Sequence, residues 1–310
     1  MRLVRTKTAW MLLLAMILCA STASTVLAHD PNGGSDIGEA LSVSAGVDFA
    51  TQYFFRGIFQ ENQGSIVQPW AELGVNLFEG EDTINSIDLS VGIWNSIHSG
   101  PSGADNFGGG LSSPTSWYEA DFYAGLSVAF AEKFEFGFTY TNYTSPNSAF
   151  TDVEDIAFSL GFDDADCWGD TGIPGFEGLQ PSVTLLFEVD GQADGGVHDG
   201  TYFQFDIEPS MLLVDNDDLQ ITFSVPFTLG LSLDDYYEDG TGSDDTFGYV
   251  DLGFKFSMPL DFIPPAYGEW SAHAGVHVLF LGDSLETISM GAGDGDSTEV
   301  YGLFGIDVAF

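Results

Sequence analysis

Twelve stretches of this chain, each about ten residues long, carry an apolar or small side chain at every second position. None of those twelve rows contains a charged residue, although the chain holds 47 Asp and Glu. Period two marks a β-strand, whose successive side chains point to opposite faces. In the last stretch, residues 298–310, the row Val300, Gly302, Phe304, Ile306, Val308 and Phe310 opposes Glu299, Tyr301, Leu303, Gly305, Asp307 and Ala309. A row that excludes charge this strictly suits contact with hydrocarbon. There a basic side chain at mid-depth costs about 2–4 kcal/mol and an acidic one somewhat less.

The strands fall at about 40–50, 66–78, 84–94, 117–130, 134–143, 153–162, 180–190, 201–213, 219–231, 247–258, 269–281 and 298–310. A soluble sandwich could also be built from short strands, but the connections argue against it. The links after the second, fourth and eighth strands are tight, and most others are long, Gly-rich and acidic. The links at 163–179 and 259–268 are the longer exceptions on the tight side. Alternation of short turns and long loops is the habit of a membrane barrel. Strands of about 10 residues, at ~3.4 Å each and tilted by ~40°, reach roughly 25 Å, enough to cross. Only a closed sheet pairs every backbone donor and acceptor in lipid. The expected fold is therefore all-β, a transmembrane antiparallel up-and-down β-barrel of about 12 strands over residues 40–310. An even strand count puts both ends on the short-turn, periplasmic side.

Aromatic residues gather near the strand ends. Trp94, Trp117, Tyr118, Tyr143, Tyr202, Tyr249 and Tyr301 lie toward the long loops, and Phe78, Phe130, Phe134, Trp270 and Phe310 toward the short turns. Both sets are read here as interfacial girdles. Phe304, Ile306, Val308 and Phe310 form the expected assembly signal, similar to the terminal aromatic signal read by outer-membrane assembly machinery.

The N-terminus supplies the export route. Arg2, Arg5 and Lys7 precede an apolar run of 12 residues, 9–20. That run is too short to span a ~30 Å hydrocarbon core as a helix. Val26, Leu27 and Ala28 suit cleavage after Ala28, so residues 1–28 read as a signal peptide and 29–39 as a flexible periplasmic tail. The expected location is the outer membrane of a Gram-negative-type bacterium.

Beyond Ala28 the basic residues are Arg56, Lys133 and Lys255 against all 47 carboxylates. That balance excludes a nucleic-acid partner, because nothing would neutralise phosphates. A single cysteine, Cys167, remains after cleavage, so no internal disulfide framework forms.

Residues 43–64, VSAGVDFATQYFFRGIFQENQG, carry a Tyr-x-x-Arg-Gly core at Tyr53, Phe54, Phe55, Arg56 and Gly57, followed by Gln60. An alternating strand with Pro69 comes next. This segment resembles the opening strand of the TorF-like putative outer-membrane porin family. The resemblance covers about 40 residues; it implies a channel-like barrel and brings no catalytic residues.

The inward faces of the strands gather Asp48, Glu72, Asp88, Glu119, Asp121, Glu135, Asp155, Glu188, Asp190, Asp206, Glu208, Asp251, Glu299 and Asp307 against Arg56 and Lys255. All of these except Glu135, Asp155, Asp190 and Glu299 are the expected pore-lining residues. If the first strand continues, Asp48, Gln52 and Arg56 share one face, and Arg56 either lines a constriction or fixes the first loop by an ion pair. A water-filled lumen of one sign enriches counter-ions. The expected function is a passive diffusion channel for small solutes, cation-preferring. The alternative is a non-conducting surface barrel, structural or adhesive. Lipid, assembly machinery and small solutes or cations are the expected partners. No cofactor is expected, apart from Ca²⁺ or Mg²⁺ held loosely at the acidic loops 163–170, 234–245 and 294–299, none of which has complete EF-hand spacing. His273 and His277 both face inward beside Ser271, with no third His or Cys near in sequence. No nucleophile with its base and orienter stands out, so an enzyme is not expected.

Overall fold

The computed structural model describes residues 40–100, 116–216, 219–238, 242–289 and 295–310. The signal peptide, the tail and most of the loop before Trp117 lie outside the described residues. The strands are β1 (Leu41–Ala50), β2 (Tyr53–Phe55), β3 (Ile58–Glu61), β4 (Ile66–Glu79), β5 (Ile84–His98), β6 (Trp117–Phe130), β7 (Phe134–Thr144) and β8 (Val153–Phe162). They continue as β9 (Ser182–Asp190), β10 (Thr201–Ile207), β11 (Ser210–Asn216), β12 (Leu219–Ser224), β13 (Phe227–Asp234), β14 (Phe247–Pro259), β15 (Glu269–Leu281) and β16 (Thr298–Ala309). The α-helix among the described residues, α1 (Asp283–Ser289), lies in the last loop.

Twelve antiparallel staves close on themselves. β1 pairs with β4 on one side and with β16 on the other, from Ser44↔Ala309 to Ala50↔Leu303. β16 pairs with β15, and β15 with β14. Two staves are each made of two strands. β10 and β11 are separated at Pro209, and β12 and β13 at Pro226. Proline cannot donate to a ladder, so each stave is interrupted there. The carbonyls beside the breaks stay in use: Val225 N–H donates to Pro209 O (3.0 Å) and Gly253 N–H to Pro226 O (2.8 Å). β5 also runs four residues past its expected end. Ile97 still faces out there while Ser96 and His98 are buried.

The outer surface is apolar. Phe49, Leu73, Phe122, Leu160, Phe254 and Phe304 are each at least 40% exposed. Asp48, Glu72, Asp121, Asp251 and Asp307, one parity away, are buried. That inversion of a soluble core is the pattern of a barrel in lipid. Leu126 sits in this belt between Leu89 and Phe138 on the neighbouring strands. Leu126→Arg is expected to destabilise the folded barrel by about 2–4 kcal/mol relative to Leu126→Ala. Urea titration in phospholipid vesicles measures the difference.

The turn-side girdle forms as expected. Phe130 stacks on Phe134 and Phe134 on Phe162, while Phe78 and Phe310 face out. The loop-side set is different. Trp117 faces out, but Tyr118, Tyr143, Tyr202 and Tyr249 are at most 5% exposed and point into the barrel. Trp94 packs on the inserted Tyr53, and Tyr301 stacks on His277. For Tyr118 the cause is a bulge. Ser96 pairs with Glu119 but Ile97 with Trp117, so one extra residue on β6 turns Tyr118 inward. The other tyrosines already sit on the inward parity. They are there because something fills this mouth of the barrel.

Candidate functional site

What fills the mouth is the Tyr53–Gly57 segment. After β1 the chain leaves the wall at Thr51, whose N–H donates to Gly302 O (3.0 Å) and whose Oγ1 accepts from Gly302 N–H (2.8 Å). β2 and β3 then pair as a hairpin, Phe54↔Phe59 and Phe55↔Ile58. Its two-residue turn is Arg56–Gly57, with φ +48° and +83°. Tight hairpins require positive φ at both such positions, and glycine supplies one without strain. A Cβ on Gly57 would also lie 2.6 Å from Leu285 Cδ1 and 2.8 Å from the Tyr249 ring. The hairpin is apolar on both sides because both are packed. Ile58 joins Tyr202, Tyr236, Tyr237, Tyr249 and Leu285 on one side, and Tyr53 joins Ile66 and Tyr118 on the other.

Arg56 pins the tip. Its Nη1 donates to Tyr236 Oη (2.7 Å), and its Nη2 to Tyr143 Oη (2.8 Å) and Asp155 Oδ2 (2.9 Å). The guanidinium lies 4.5 Å over the Phe55 ring, and Tyr237 Oη donates to the Arg56 carbonyl (2.8 Å). At the root, Tyr53 Oη donates to Glu119 (2.8 Å) and Tyr118 Oη to Gln60. Arg56 is thus not on a continued first strand. It reaches the far wall from an inserted hairpin, because the backbone turns away at Thr51.

Below the hairpin the inward residues form compact charge pairs. His273 joins two carboxylates, Nε2 to Asp48 (2.8 Å) and Nδ1 to Asp307 (3.1 Å). His277 Nδ1 meets Asp251 (3.0 Å), which also accepts from Tyr301 Oη (2.7 Å). Lys255 Nζ meets Glu208 (2.9 Å), with Ser224 Oγ donating to the same oxygen (2.7 Å). Asp206 accepts from Gln204 and Thr228, and Glu188 from the Ala193 and Gly200 amides. Glu72 is buried in the same interior. Asp88 is half-buried near the turn side and accepts from Asn76 and Ser86. Asp121 is buried, and neither of its oxygens has a hydrogen-bond partner among the described residues. Phe304 and Phe310 face outward on the closing strand, opposite in parity to Asp307.

Asp164 and Glu238, in two of the acidic loops, are engaged internally. Asp164 accepts from Trp168 Nε1 (2.7 Å), Leu179 N–H (3.1 Å) and Gln180 N–H (2.9 Å). Burial pushes its pKa up, but those bonds outweigh it and hold the carboxyl below its ordinary value. Glu238 joins two loops: its Oε2 accepts from the Val197 (2.6 Å) and His198 (3.0 Å) amides, and its Oε1 meets His198 Nδ1 (2.8 Å). One donor atom each from His198, Asp235 and Glu238 lies within 4.8 Å of the others, close enough to share a metal.

The Val197 amide, and then His198, lower the Glu238 pKa from 4.5 to about 2. The bond to Glu238 raises that of His198 above 6.5. The Glu238 contribution is complete above pH 4.5 and lost as pH falls through about 2. The His198 contribution is complete below pH 6.5 and lost as pH rises through its raised value. Amide exchange at Val197 and His198, corrected for intrinsic rate, is therefore expected to be slowest between pH 4.5 and 6.5. Glu238→Gln should flatten that profile.

The hairpin was legible only in retrospect. Three aromatic residues in succession break the period-two pattern just before an Arg-Gly turn, as a hairpin buried on both faces would.

No family model matches the chain, and no curated protein matches it. Among solved structures, it is similar to the NanC porin at 12% identity and a TM-score of 0.36, over 87% of this chain and 99% of that one. An outer membrane channel from Pseudomonas putida F1 aligns at 9% identity and a TM-score of 0.42, over 91% and 100% of the two chains. LpxR from Salmonella typhimurium aligns at 9% identity and a TM-score of 0.42, over 86% and 99%. Likeness at this level does not specify a function, which must come from the residues of this chain.

Proposed function

We propose that this protein is a passive diffusion channel of an outer membrane, held closed at its loop-side mouth by the hairpin of β2 and β3 and cation-preferring once that hairpin moves. One observation carries the reading. The interior is lined with polar and carboxylate side chains, yet its loop-side mouth is occupied by a hairpin with a two-residue tip, packed with Tyr236 and Tyr237 of the loop after β13 and Leu285 of α1. A barrel stabilised as a solid body would gain more from an apolar filling than from buried acids. The signal-peptide reading, the charge-free outer rows and the TorF-like resemblance of residues 43–64 support the same conclusion. Opening exposes carboxylates that far outnumber Lys255 and the two histidines, and a lumen of one sign favours counter-ions.

Planar-bilayer recording with a KCl gradient tests this. The native barrel should be silent or flicker. A variant with residues 53–61 replaced by a Gly-Ser linker should give stable steps with a cation-side reversal potential. Anion preference would overturn the electrostatic reading.

The pairing of His273, His277 and Lys255 with lumen carboxylates favours a second reading, a closed surface barrel. A folded linker variant that stays silent would establish it.

A further inference from the structure

Two loops at the barrel mouth are joined through one buried carboxylate. Glu238, 2% exposed, follows β13 and meets the loop between β9 and β10. Its Oε2 is taken up by the Val197 and His198 amides. Gly196 allows that approach, because a Cβ there would lie 2.5 Å from Glu238 Oε2 and 2.8 Å from Asp194 Oδ1. Asp194 in turn accepts from the Glu238 N–H (2.6 Å). With Oε2 so held, Oε1 meets His198 Nδ1 at 2.8 Å, and Asp235 Oδ2 lies 3.9 Å from the same nitrogen. The three donor atoms are within 4.8 Å of one another, and among the described residues no other three His, Cys, Asp or Glu side chains come so close.

Two ligands held by zinc at ~2.1 Å each stand at most about 4.2 Å apart. Both separations from His198 Nδ1 fall inside that limit. The Asp235 side chain is 39% exposed, so its carboxylate has room to close on an ion, and the more exposed His198 leaves space for water on the remaining coordination positions. One imidazole nitrogen with two carboxylate oxygens is a mixed donor set. The nitrogen disfavours calcium and magnesium, which take oxygen ligands, and the lack of a thiolate disfavours the softest ions.

The ligands also bracket two residues that hold the hairpin. Tyr236 and Tyr237 stand between Asp235 and Glu238, and their hydroxyls meet the Arg56 guanidinium and carbonyl. We propose that His198, Asp235 and Glu238 bind a divalent transition-metal ion of the Zn²⁺ type, and that the ion fixes the Tyr236–Tyr237 segment against the hairpin tip. Both effects belong to the closed barrel and are independent of conduction; only a zinc-dependent block of current would rest on the channel reading.

The test uses the full folded chain in detergent, stripped with EDTA and then dialysed against ZnCl₂. Saturable binding of one ion per barrel is expected, undisturbed by calcium or magnesium in large excess. His198→Ala removes an exposed side chain and should weaken binding about tenfold or more, the scale seen when even a residue behind a metal ligand is lost. Asp235→Asn should weaken it likewise while keeping the left-handed backbone at φ +50°, which asparagine adopts readily. His29→Ala should bind as the native chain does. Zinc affinity unchanged in His198→Ala, equal competition by calcium, or no saturable binding would each overturn the site.

Hydrogen exchange tests the fixing of the two tyrosines. The Tyr236 amide donates to Ser232 Oγ (3.0 Å) and the Tyr237 amide to Asp244 Oδ1 (3.2 Å). An ion that binds only the ordered segment stabilises it by mass action, so free zinc at about ten times its dissociation constant should slow both amides about tenfold. At the same zinc concentration the effect should be largely lost in His198→Ala. Zinc bound with both rates unmoved would overturn the clamp.

Discussion

Arg56→Ala is expected both to destabilise the barrel by about 3–5 kcal/mol and to convert a silent barrel into a conducting one. The stability loss follows from what the guanidinium leaves behind. Asp155 Oδ2 accepts from Arg56 and Oδ1 has no hydrogen-bond partner among the described residues, so truncation removes the positive charge beside a buried carboxylate. Removing one partner of a buried pair costs about that much because the remaining charge is uncompensated. The conductance gain follows from position. The same side chain holds the hairpin to Tyr143 on β7 and to Tyr236 in the loop after β13. Without it the tip keeps the Tyr237 bond to its backbone, the Phe55 ring against Tyr143 and the contacts of Ile58 and Gly57. Arg56→Lys separates the two effects. It keeps the charge beside Asp155 but loses the planar fork that reaches three acceptors, so stability should recover more than closure does. Urea unfolding in vesicles and single-channel recording on the same preparations give both numbers. A destabilised but silent Arg56→Ala barrel would make Arg56 a clamp of the wall and not of the hairpin.

The outer half of this molecule was readable from sequence because lipid imposes a rule on every second residue. Each apolar row from Leu41 to Phe310 could be found without knowing its neighbours. The rule also hid something. The rows Phe203, Phe205, Ile207, Met211, Leu213 and Leu219, Ile221, Phe223, Val225, Phe227 keep their parity straight through Pro209 and Pro226. A pattern that records only faces cannot register a break in the hydrogen-bond ladder that preserves them. Tyr118 shows the opposite failure. A bulge inserts one residue and reverses the parity, and no local signal in the sequence announces it.

The interior was less legible because the lumen imposes no period of its own. Parity sends Asp48, Asp251, His273 and Asp307 inward but says nothing about who meets whom. His273 joins residues from β1 and β16, which are 225 and 34 positions away. Only closure of the ring brings them together. The hairpin was missed for a related reason. Continuation of the first strand as far as Arg56 is excluded by the same residues, since a wall strand could not place Tyr53, Phe54 and Phe55 in succession without aiming one kind of face the wrong way.

Lys255→Met is expected to cost about 3–5 kcal/mol, and adding Glu208→Gln should restore most of it. Lys255 is the one buried lysine among the described residues, at 4% exposure, and Glu208 at 8% is its partner. Their contact lies where the wall is weakest. Glu208 immediately precedes Pro209, and Lys255 pairs across the ladder with Ser224, two residues before Pro226. Both broken staves are therefore fastened at the break by one lumen ion pair, with Ser224 donating to the same carboxylate oxygen. Methionine fills the volume of the lysine stem but leaves Glu208 with the serine alone. Glutamine then removes the stranded charge and keeps an acceptor for Ser224. The double-mutant cycle in urea isolates the pair, and exchange of the Val225 amide, which bridges the two breaks to Pro209 O, reports the local consequence. A single-variant cost under about 0.5 kcal/mol, of the size seen at ordinary surface positions, would mean that the Lys255–Glu208 pair does not hold the breaks. The breaks would then have to be held by the ladder on either side, and Val225 exchange should be indifferent to Lys255. Fast Val225 exchange in Lys255→Met that slows again in the double variant would show that an ion pair inside the barrel does the work two prolines took from its wall.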